Sequence, residues 1–207
     1  MDPSSTAFFL CDLQERFRPI IYGFEHVVST TNKVLKFAKI LGCPVLVTTQ
    51  KTKVLGPIDP AVNLESLGSL HVATYDKTLF SMLTPEVLAF LESRPHIKSI
   101  VLMGIESHIC ILQTALELAA HPTKYKTYVL ADAVSSANRA EVPLALYRIS
   151  AQMRAANITV TTSESLGFQL LRDASRTEFK AFSNIIKEEK DATAKAVEAL
   201  LGQRSAL

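Results

Sequence analysis

The chain has 207 residues, of which 48% are hydrophobic and 20% charged, and its formal net charge is +2. This length and composition are typical of one globular domain with a core of its own, and they exclude disordered and fibrous proteins. The longest apolar runs have about five or six residues, whereas a membrane-spanning helix needs roughly 20. We therefore expect a soluble protein with no membrane partner.

Charge and cysteine content further limit the class of protein to which this chain can belong. The 22 lysines and arginines are spread along the chain without a basic stripe, so nothing in the sequence favours a nucleic-acid partner. Cys11, Cys43 and Cys110 are an odd, widely spaced set, which fits reduced thiols inside a cell better than disulfides.

The two ends of the chain bear on location. No basic residue precedes the first apolar stretch and Asp12 interrupts it, so we interpret that stretch as a strand and not as a signal peptide. The ending Ser205-Ala206-Leu207 lacks the basic middle residue of a peroxisomal signal. We expect an intracellular, cytoplasmic protein, with mitochondrial and peroxisomal locations left open.

Short apolar runs alternate along the chain with longer segments of helical period. The predicted strands are 7–11, 44–49, 71–75, 99–104, 127–131 and 158–162. The predicted helices are about 26–41, 85–92, 110–120, 142–156 and 177–201, with an irregular loop at 50–70. The last helix is highly charged, and we expect it to pack on its own domain or on a second subunit.

This alternation predicts parallel strands joined by right-handed helical crossovers. The predicted fold is α/β: a three-layer α/β/α, doubly wound, Rossmann-like sheet of about six mainly parallel strands. We expect a single domain over residues 1–207, with a core at about 7–172 and a C-terminal helical extension at about 173–207.

Polar residues follow several of the predicted strands. In doubly wound sheets, ligands bind beyond the carboxyl ends of the strands, near the point where the strand order reverses. The polar positions just after the predicted strands are Asp12, Gln50, Lys77, the segment from Glu106 to Cys110, and Asp132. We therefore expect these residues to meet at one rim of the sheet.

Cys110 stands at the beginning of a predicted helix. Free backbone N–H groups and the positive end of the helix dipole favour a thiolate at such a position. The ammonium of Lys77 would act in the same direction, and the carboxylate of Asp12 could carry the proton. Each residue also has a structural interpretation: a core thiol, a turn residue and a surface charge. The residues alone leave packing and catalysis both open.

Two neighbours of Cys110 carry open alternatives. His108 is either a base or a polar residue that lines the site entrance, and we expect Glu106 to act through its backbone and not its carboxylate. Candidates for pocket walls, chosen by their position near strand ends, are Phe17, Gln50, Phe80, His108 and Leu112.

Three stretches carry a resemblance to a known family: "FLCDLQERF" (9–17), "KTLFSM" (77–82) and "GIESHICILQTALEL" (104–118). They resemble the signature blocks of the isochorismatase-like cysteine hydrolases, and most closely those of eukaryotic isochorismatase-domain-containing proteins. The likeness runs in order from about residue 7 to residue 172.

The resemblance implies a catalytic triad of Asp12, Lys77 and Cys110. It also implies a non-proline cis peptide between Ile105 and Glu106, and an oxyanion hole formed by the backbone N–H groups of Glu106 and Cys110. The resemblance also implies that the protein forms a homo-oligomer, either a dimer or a larger assembly.

The sequence departs from some relatives in the loop at 50–70. Nicotinamidase-type members bind a metal there through an aspartate and histidines, but this loop has no histidine and one aspartate. We therefore expect no metal and no cofactor. The expected function is hydrolysis of a C–N bond in a small amide-like substrate through a Cys thiolate and a thioester. A non-catalytic regulatory protein on the same fold and a vinyl ether hydrolase are the alternatives.

Overall fold

The computed structural model describes residues 1–152 and 157–202. Its strands are β1 (Thr6–Cys11), β2 (Val45–Gln50), β3 (His71–Lys77), β4 (Ser99–Ile105), β5 (Lys126–Ser135) and β6 (Ile158–Thr161). Its α-helices are α1 (Phe24–Leu41), α2 (Thr52–Leu55), α3 (Pro85–Glu92), α4 (Leu112–Ala120), α5 (Glu141–Gln152), α6 (Ser163–Leu171), α7 (Phe179–Glu188) and α8 (Lys190–Leu201). Within these ranges every helix is too short or too polar to span a bilayer. The predicted helix at 142–156 ends at residues 153–156, which lie outside the described residues.

The six strands form one parallel sheet in the order β3-β2-β1-β4-β5-β6. The predicted α/β fold with a parallel sheet is confirmed. From β1 the chain winds outward through β2 and β3, and then returns to the other side of β1 with β4. The strand order therefore reverses between β1 and β4, and a crevice at their carboxyl ends is where this fold binds ligands.

Helices cover both faces of the sheet, which explains why the central strands are almost entirely apolar. Phe8 and Leu10 of β1 pack into a core with α1, α6 and α7. Phe9 and Cys11, on the alternate positions, pack into a second core with α3 and α4. Cys110 belongs to this second core and Cys43 belongs to the first.

The C-terminal segment differs from the single predicted helix. It forms α7 and α8, which meet at Glu189 (φ −91°, ψ 4°), a residue outside the helical region. Phe182 of α7 stacks on Phe37 of α1, with ring centroids 4.6 Å apart. Lys33 Nζ of α1 donates to Thr193 Oγ1 of α8 at 2.8 Å. Of the two alternatives, the structure shows that this segment packs on its own domain.

Further corrections concern β5, α6 and the predicted loop at 50–70. β5 extends to Ser135, so Asp132 lies inside the strand and not at the rim. Its buried carboxylate accepts a hydrogen bond from Ser163 N at 2.7 Å and stabilises the first turn of α6, a helix that the sequence pattern did not predict. The predicted loop at 50–70 also contains α2 and a 3-10 helix, Glu65–Leu70.

Gly104 of β4 touches the backbone that leads into the candidate site. Its φ is 130°, and a Cβ built on it would lie 2.1 Å from Cys11 O and 2.8 Å from Cys11 N. Gly104→Ala should therefore lower the free energy of unfolding by at least about 3 kcal/mol, because steric overlap adds to backbone strain. Urea denaturation measures this loss.

Gly42 provides the matched control for this substitution. It also has a positive φ, 68°, but nothing lies within 4 Å of the Cβ that alanine would add. Gly42→Ala should cost only about 1–2 kcal/mol, the strain of the left-handed region. Equal losses at the two positions would contradict a special role for the contact between Gly104 and Cys11.

Candidate active site

Asp12 directly follows β1 and turns its carboxylate into the crevice between β1 and β4. Its backbone is left-handed (φ 53°), a conformation that Asp and Asn tolerate better than most residues. The buried carboxylate accepts two strong hydrogen bonds, from Thr48 Oγ1 to Oδ1 at 2.8 Å and from Lys77 Nζ to Oδ2 at 2.7 Å. Asp12 is thus held as a desolvated, paired carboxylate.

Lys77 is the last residue of β3 and reaches past β2 to the end of β1. Its buried ammonium lies close to four oxygens: Asp12 Oδ2 and Gln50 Oε1 at 2.7 Å, and the carbonyls of Leu79 and Phe80 at 3.1 Å. Burial by itself lowers the pKa of Lys77, but Cys11, Asp12 and Cys110 raise the pKa by more, so that it lies above its ordinary value. The site therefore contains a permanent positive charge.

Gln50 and Gln14 hold this ammonium in place. Gln50 Nε2 donates to Thr78 O at 2.9 Å, which directs its Oε1 toward Lys77. Gln14 is buried, accepts from Gln50 N at 2.7 Å and donates to Gly56 O at 2.6 Å. Gln50, predicted as a pocket wall, is thus a direct partner of Lys77. The sequence analysis missed Gln14, although it lies in the block "FLCDLQERF".

Cys110 lies in a single π-helical turn, Ser107–Ile111, between β4 and α4. Glu106 O accepts from Ile109 N at 3.0 Å and from Ile111 N at 3.2 Å, which closes the turn. Cys110 is 6% exposed, and its carbonyl accepts from Thr114 Oγ1 at 2.7 Å. Thr114 Oγ1 in turn accepts from Met82 N at 2.9 Å. The cysteine is therefore tied to the segment that follows Lys77.

The peptide bond between Ile105 and Glu106 is not cis, since the described residues contain no cis peptide. The prediction of a cis bond is wrong for this structure. The chain reverses after β4 because Glu106 adopts the left-handed conformation (φ 56°, ψ 63°). The φ and ψ angles of Glu106 alone therefore reverse the chain. Its left-handed conformation costs less free energy than the roughly 3–4 kcal/mol of a non-proline cis bond.

The fold brings the three predicted catalytic side chains together. A carboxylate oxygen of Asp12 and the sulfurs of Cys11 and Cys110 all lie within 4.8 Å of one another, and Lys77 contacts the same carboxylate. All four residues are buried at the reversal of the strand order. A proton can pass between a thiol and a carboxylate at this site while an ammonium stabilises the charge that develops.

Cys11 is a second thiol that the sequence analysis did not place in the site. It is buried, and its S–H donates to Asp12 Oδ2 at 3.4 Å. Burial, and then a hydrogen bond with Cys110, raise the pKa of Cys11 well above its ordinary value, which keeps this thiol protonated. Its position inside an apolar strand gave no sign of a polar role.

Comparison with known proteins shows the family to which this chain belongs. Residues 6–165 match the family model described as the isochorismatase domain. The chain belongs to the isochorismatase family. The resemblance seen in three sequence blocks is confirmed, and membership supports a hydrolase fold without specifying a substrate.

Among members of the isochorismatase family, isochorismatase domain-containing protein 2 of Xenopus laevis is 44% identical over 184 residues, 89% of this chain and 84% of that protein. Isochorismatase domain-containing protein 1 of Salmo salar is 42% identical, and this chain spans only 62% of its length. A solved structure described as the MAR1 ribonuclease from Caenorhabditis elegans has a TM-score of 0.81 and 30% identity, covering 100% of this chain and 99% of that one.

The remaining pocket candidates of this isochorismatase domain occupy different surroundings. Phe80 is 53% exposed, and its backbone carbonyl accepts a hydrogen bond from Lys77 Nζ. His108 Nδ1 lies 3.0 Å from Ser136 Oγ and 3.4 Å from Glu106 Oε2, at the partly exposed edge of the site. Phe17 packs against the core on one face of the sheet, and Leu112 lies in the core on the other face.

Metal binding in this isochorismatase domain can be judged from the same cluster. Two thiols and a carboxylate are donors of the kind that bind Zn²⁺. However, Lys77 Nζ lies 2.7 Å from the Asp12 carboxylate and brings a full positive charge into the cluster. This charge repels a divalent cation, and the carboxylate oxygen that faces it is already occupied. The residues do not fit a metal.

Proposed function

We propose that this isochorismatase family protein is a metal-independent cysteine hydrolase that cleaves a C–N bond of a small amide-like molecule. One observation carries the proposal. The buried Asp12 carboxylate lies 2.7 Å from the Lys77 ammonium and within 4.8 Å of the Cys110 sulfur. A core would not need this arrangement of charges, because burying an ion pair costs more than packing apolar side chains.

The reaction begins with the transfer of the Cys110 proton to Asp12. The Lys77 ammonium stabilises the thiolate, which attacks the carbonyl carbon of the substrate and forms a carbon–sulfur bond. The carbonyl π electrons move to the oxygen, which becomes an oxyanion. Because Asp12 accepts hydrogen bonds from Thr48 and Lys77, the carboxylate keeps its orientation during this step.

The oxyanion needs donors that are fixed in advance. We assign this role to the backbone N–H groups of Glu106 and Cys110, which lie at the left-handed residue and the π-helical turn before α4. Donors at the beginning of a helix are available because the first turn leaves N–H groups unpaired. Each such donor typically lowers the barrier by about 3–4 kcal/mol.

Collapse of the oxyanion breaks the C–N bond. Asp12 returns its proton to the departing nitrogen, and a thioester remains on Cys110. Water then attacks the thioester while Asp12 accepts one of its protons, and the released thiolate takes that proton back. The net reaction is amide plus water to carboxylic acid plus amine or ammonia, and the protein returns to its initial state.

A panel of small amides and ureides, assayed by ammonia release, tests the proposal. At least one member should release ammonia in the presence of the protein, without added metal and with a chelator present. Because the C. elegans structure is described as a ribonuclease, an RNA oligonucleotide is the comparison substrate. It should remain intact, since the chain has a net charge of only +2 and no basic stripe.

Two results would overturn the proposal. One is cleavage of RNA with no ammonia from any amide. The other is no turnover at all, together with Cys110 that reacts with iodoacetamide no faster than the core residue Cys43, which would favour the non-catalytic alternative. Burial raises the pKa of Cys43 to about 12, so Cys43 sets the baseline for an inert thiol.

A further inference from the structure

The hydrolytic mechanism uses one of two neighbouring thiols. Cys11 is the last residue of β1, its side chain faces the same side of the sheet as Cys110, and it is 0% exposed. Its sulfur lies within 4.8 Å of the Cys110 sulfur. In hydrolysis Cys11 only donates a weak hydrogen bond to Asp12, a contact that any small donor could provide.

We propose that Cys11 and Cys110 form a reversible intramolecular disulfide when the protein reacts with a peroxide. The bond makes Cys110 an oxidative modification site in which Cys11 is the resolving thiol. Formation of the disulfide does not depend on the proposed hydrolase function. Only its consequence, the loss of turnover, rests on that function.

The first step is the oxidation of Cys110. Its thiolate, stabilised by the Lys77 ammonium, attacks one oxygen of hydrogen peroxide and breaks the O–O bond. The sulfur is oxidised to a sulfenic acid, and the other oxygen leaves as hydroxide and takes up a proton to become water. Cys110 is 6% exposed, so a molecule as small as a peroxide can reach it.

The second step joins the two sulfurs. The Cys11 sulfur attacks the Cys110 sulfur, and the Cys11 proton moves to Asp12 Oδ2, which already accepts it at 3.4 Å. The hydroxyl group of the sulfenic acid leaves with a proton as water. A sulfenic acid and a thiol thus become a disulfide and water, with no further oxidant.

The positions of Cys11 and Cys110 favour a disulfide between them over disulfides with other thiols. A disulfide needs the sulfurs to approach to about 2.05 Å, and these two sulfurs start within 4.8 Å of each other. Cys11 is buried, so thiols of other molecules cannot reach it. Cys43 lies in the core on the other face of the sheet, where its S–H donates to Pro3 O at 3.4 Å, and it cannot compete.

Peptide mass spectrometry of the full chain tests the proposal. The reduced protein is treated with hydrogen peroxide, blocked with N-ethylmaleimide and digested without reductant. Before blocking, we expect an intact mass lower by two hydrogen atoms. After digestion, we expect a cross-linked peptide that joins Cys11 to Cys110 and that dithiothreitol fully separates. Cys43→Ala, the matched control, should give the same cross-link.

Cys11→Ala removes the resolving thiol. Cys110 should then proceed to sulfinic acid, which dithiothreitol does not reverse, at a rate at least about 10-fold that of the wild type. Irreversible oxidation of Cys110 in the wild type without a cross-link, or a cross-link that involves Cys43, would overturn the proposal. If Cys11→Ala does not fold, the peptide map of the wild type still tests whether the disulfide forms. The mass measurement needs no turnover, so it is read independently of the proposed hydrolysis.

Discussion

Cys110→Ala is expected to lower kcat/KM on any amide substrate by at least about 10³-fold, because the variant has no atom that can form the thioester. Cys110→Ser should lose nearly as much, since Asp12 and Lys77 are arranged for a thiol that ionises far more readily than a hydroxyl. The measurement is steady-state ammonia release at equal concentrations of folded protein. The buried alanine is smaller by one sulfur atom and should leave the fold intact.

Cys43→Ala is the control for this experiment. Cys43 is also buried but lies in the core on the other face of the sheet, so its removal should change kcat/KM by less than about twofold. Undiminished turnover of Cys110→Ala would rule out the thioester mechanism. Cleavage of a vinyl ether substrate at the wild-type rate by Cys110→Ala would favour the vinyl ether alternative, which does not use the thiol.

Lys77→Met is expected to lower the free energy of unfolding by about 3–5 kcal/mol, because it leaves the Asp12 carboxylate buried without a counterion. The side chains of both residues are almost completely buried, so water cannot replace the lost ammonium. Urea denaturation at pH 7 measures the loss, and ammonia release should fall at the same time because the thiolate loses its stabilising charge.

The direction of the Lys77 pKa shift determines the pH at which the stabilities of Lys77→Met and the wild type should be compared. The pKa of Lys77 in the folded protein lies above that of an unfolded lysine, about 10.4. The stability that Lys77 contributes is therefore fully present below about pH 10.4 and is lost as the pH rises through the higher folded value. At pH 7 the whole effect of Lys77→Met is observed.

A double variant separates stability from chemistry. Asp12→Asn combined with Lys77→Met removes both charges, and Asn tolerates the left-handed backbone at position 12 (φ 53°). We expect most of the lost stability to return while turnover stays absent. A Lys77→Met variant as stable as the wild type would show that Asp12 does not depend on this ion pair.

The fold and part of the site could be predicted because they depend on local patterns. Apolar runs indicated the strands, and positions near strand ends made Asp12, Lys77 and Cys110 candidates. The residues alone left packing and catalysis open, and the triad was implied by the family resemblance. The limits of β5 could not be predicted, because Asp132 is a buried charge inside a strand and resembles a strand end. The helix break at Glu189 likewise follows no strong stop signal.

The hydrogen-bond partners of the site residues could not be predicted from the sequence for a different reason. Gln14 binds Gln50, which lies 36 residues away along the chain. Thr48 is a small residue in β2, and only the strand order shows that it faces Asp12. Cys11 directly precedes Asp12, but an apolar strand gives no sign that its thiol contacts the carboxylate. The family resemblance implied a cis bond before Glu106, and the residues themselves do not indicate the left-handed backbone that makes the turn instead.

Two of the four oxygens around Lys77 are the backbone carbonyls of Leu79 and Phe80. A carbonyl is present whatever side chain stands at a position, whereas the Leu79 and Phe80 side chains are each 53% exposed. The rim at these two positions can therefore vary freely without removing an acceptor from the ammonium. Divergence or directed evolution can reshape the entrance to the crevice there while the charge at its base stays anchored.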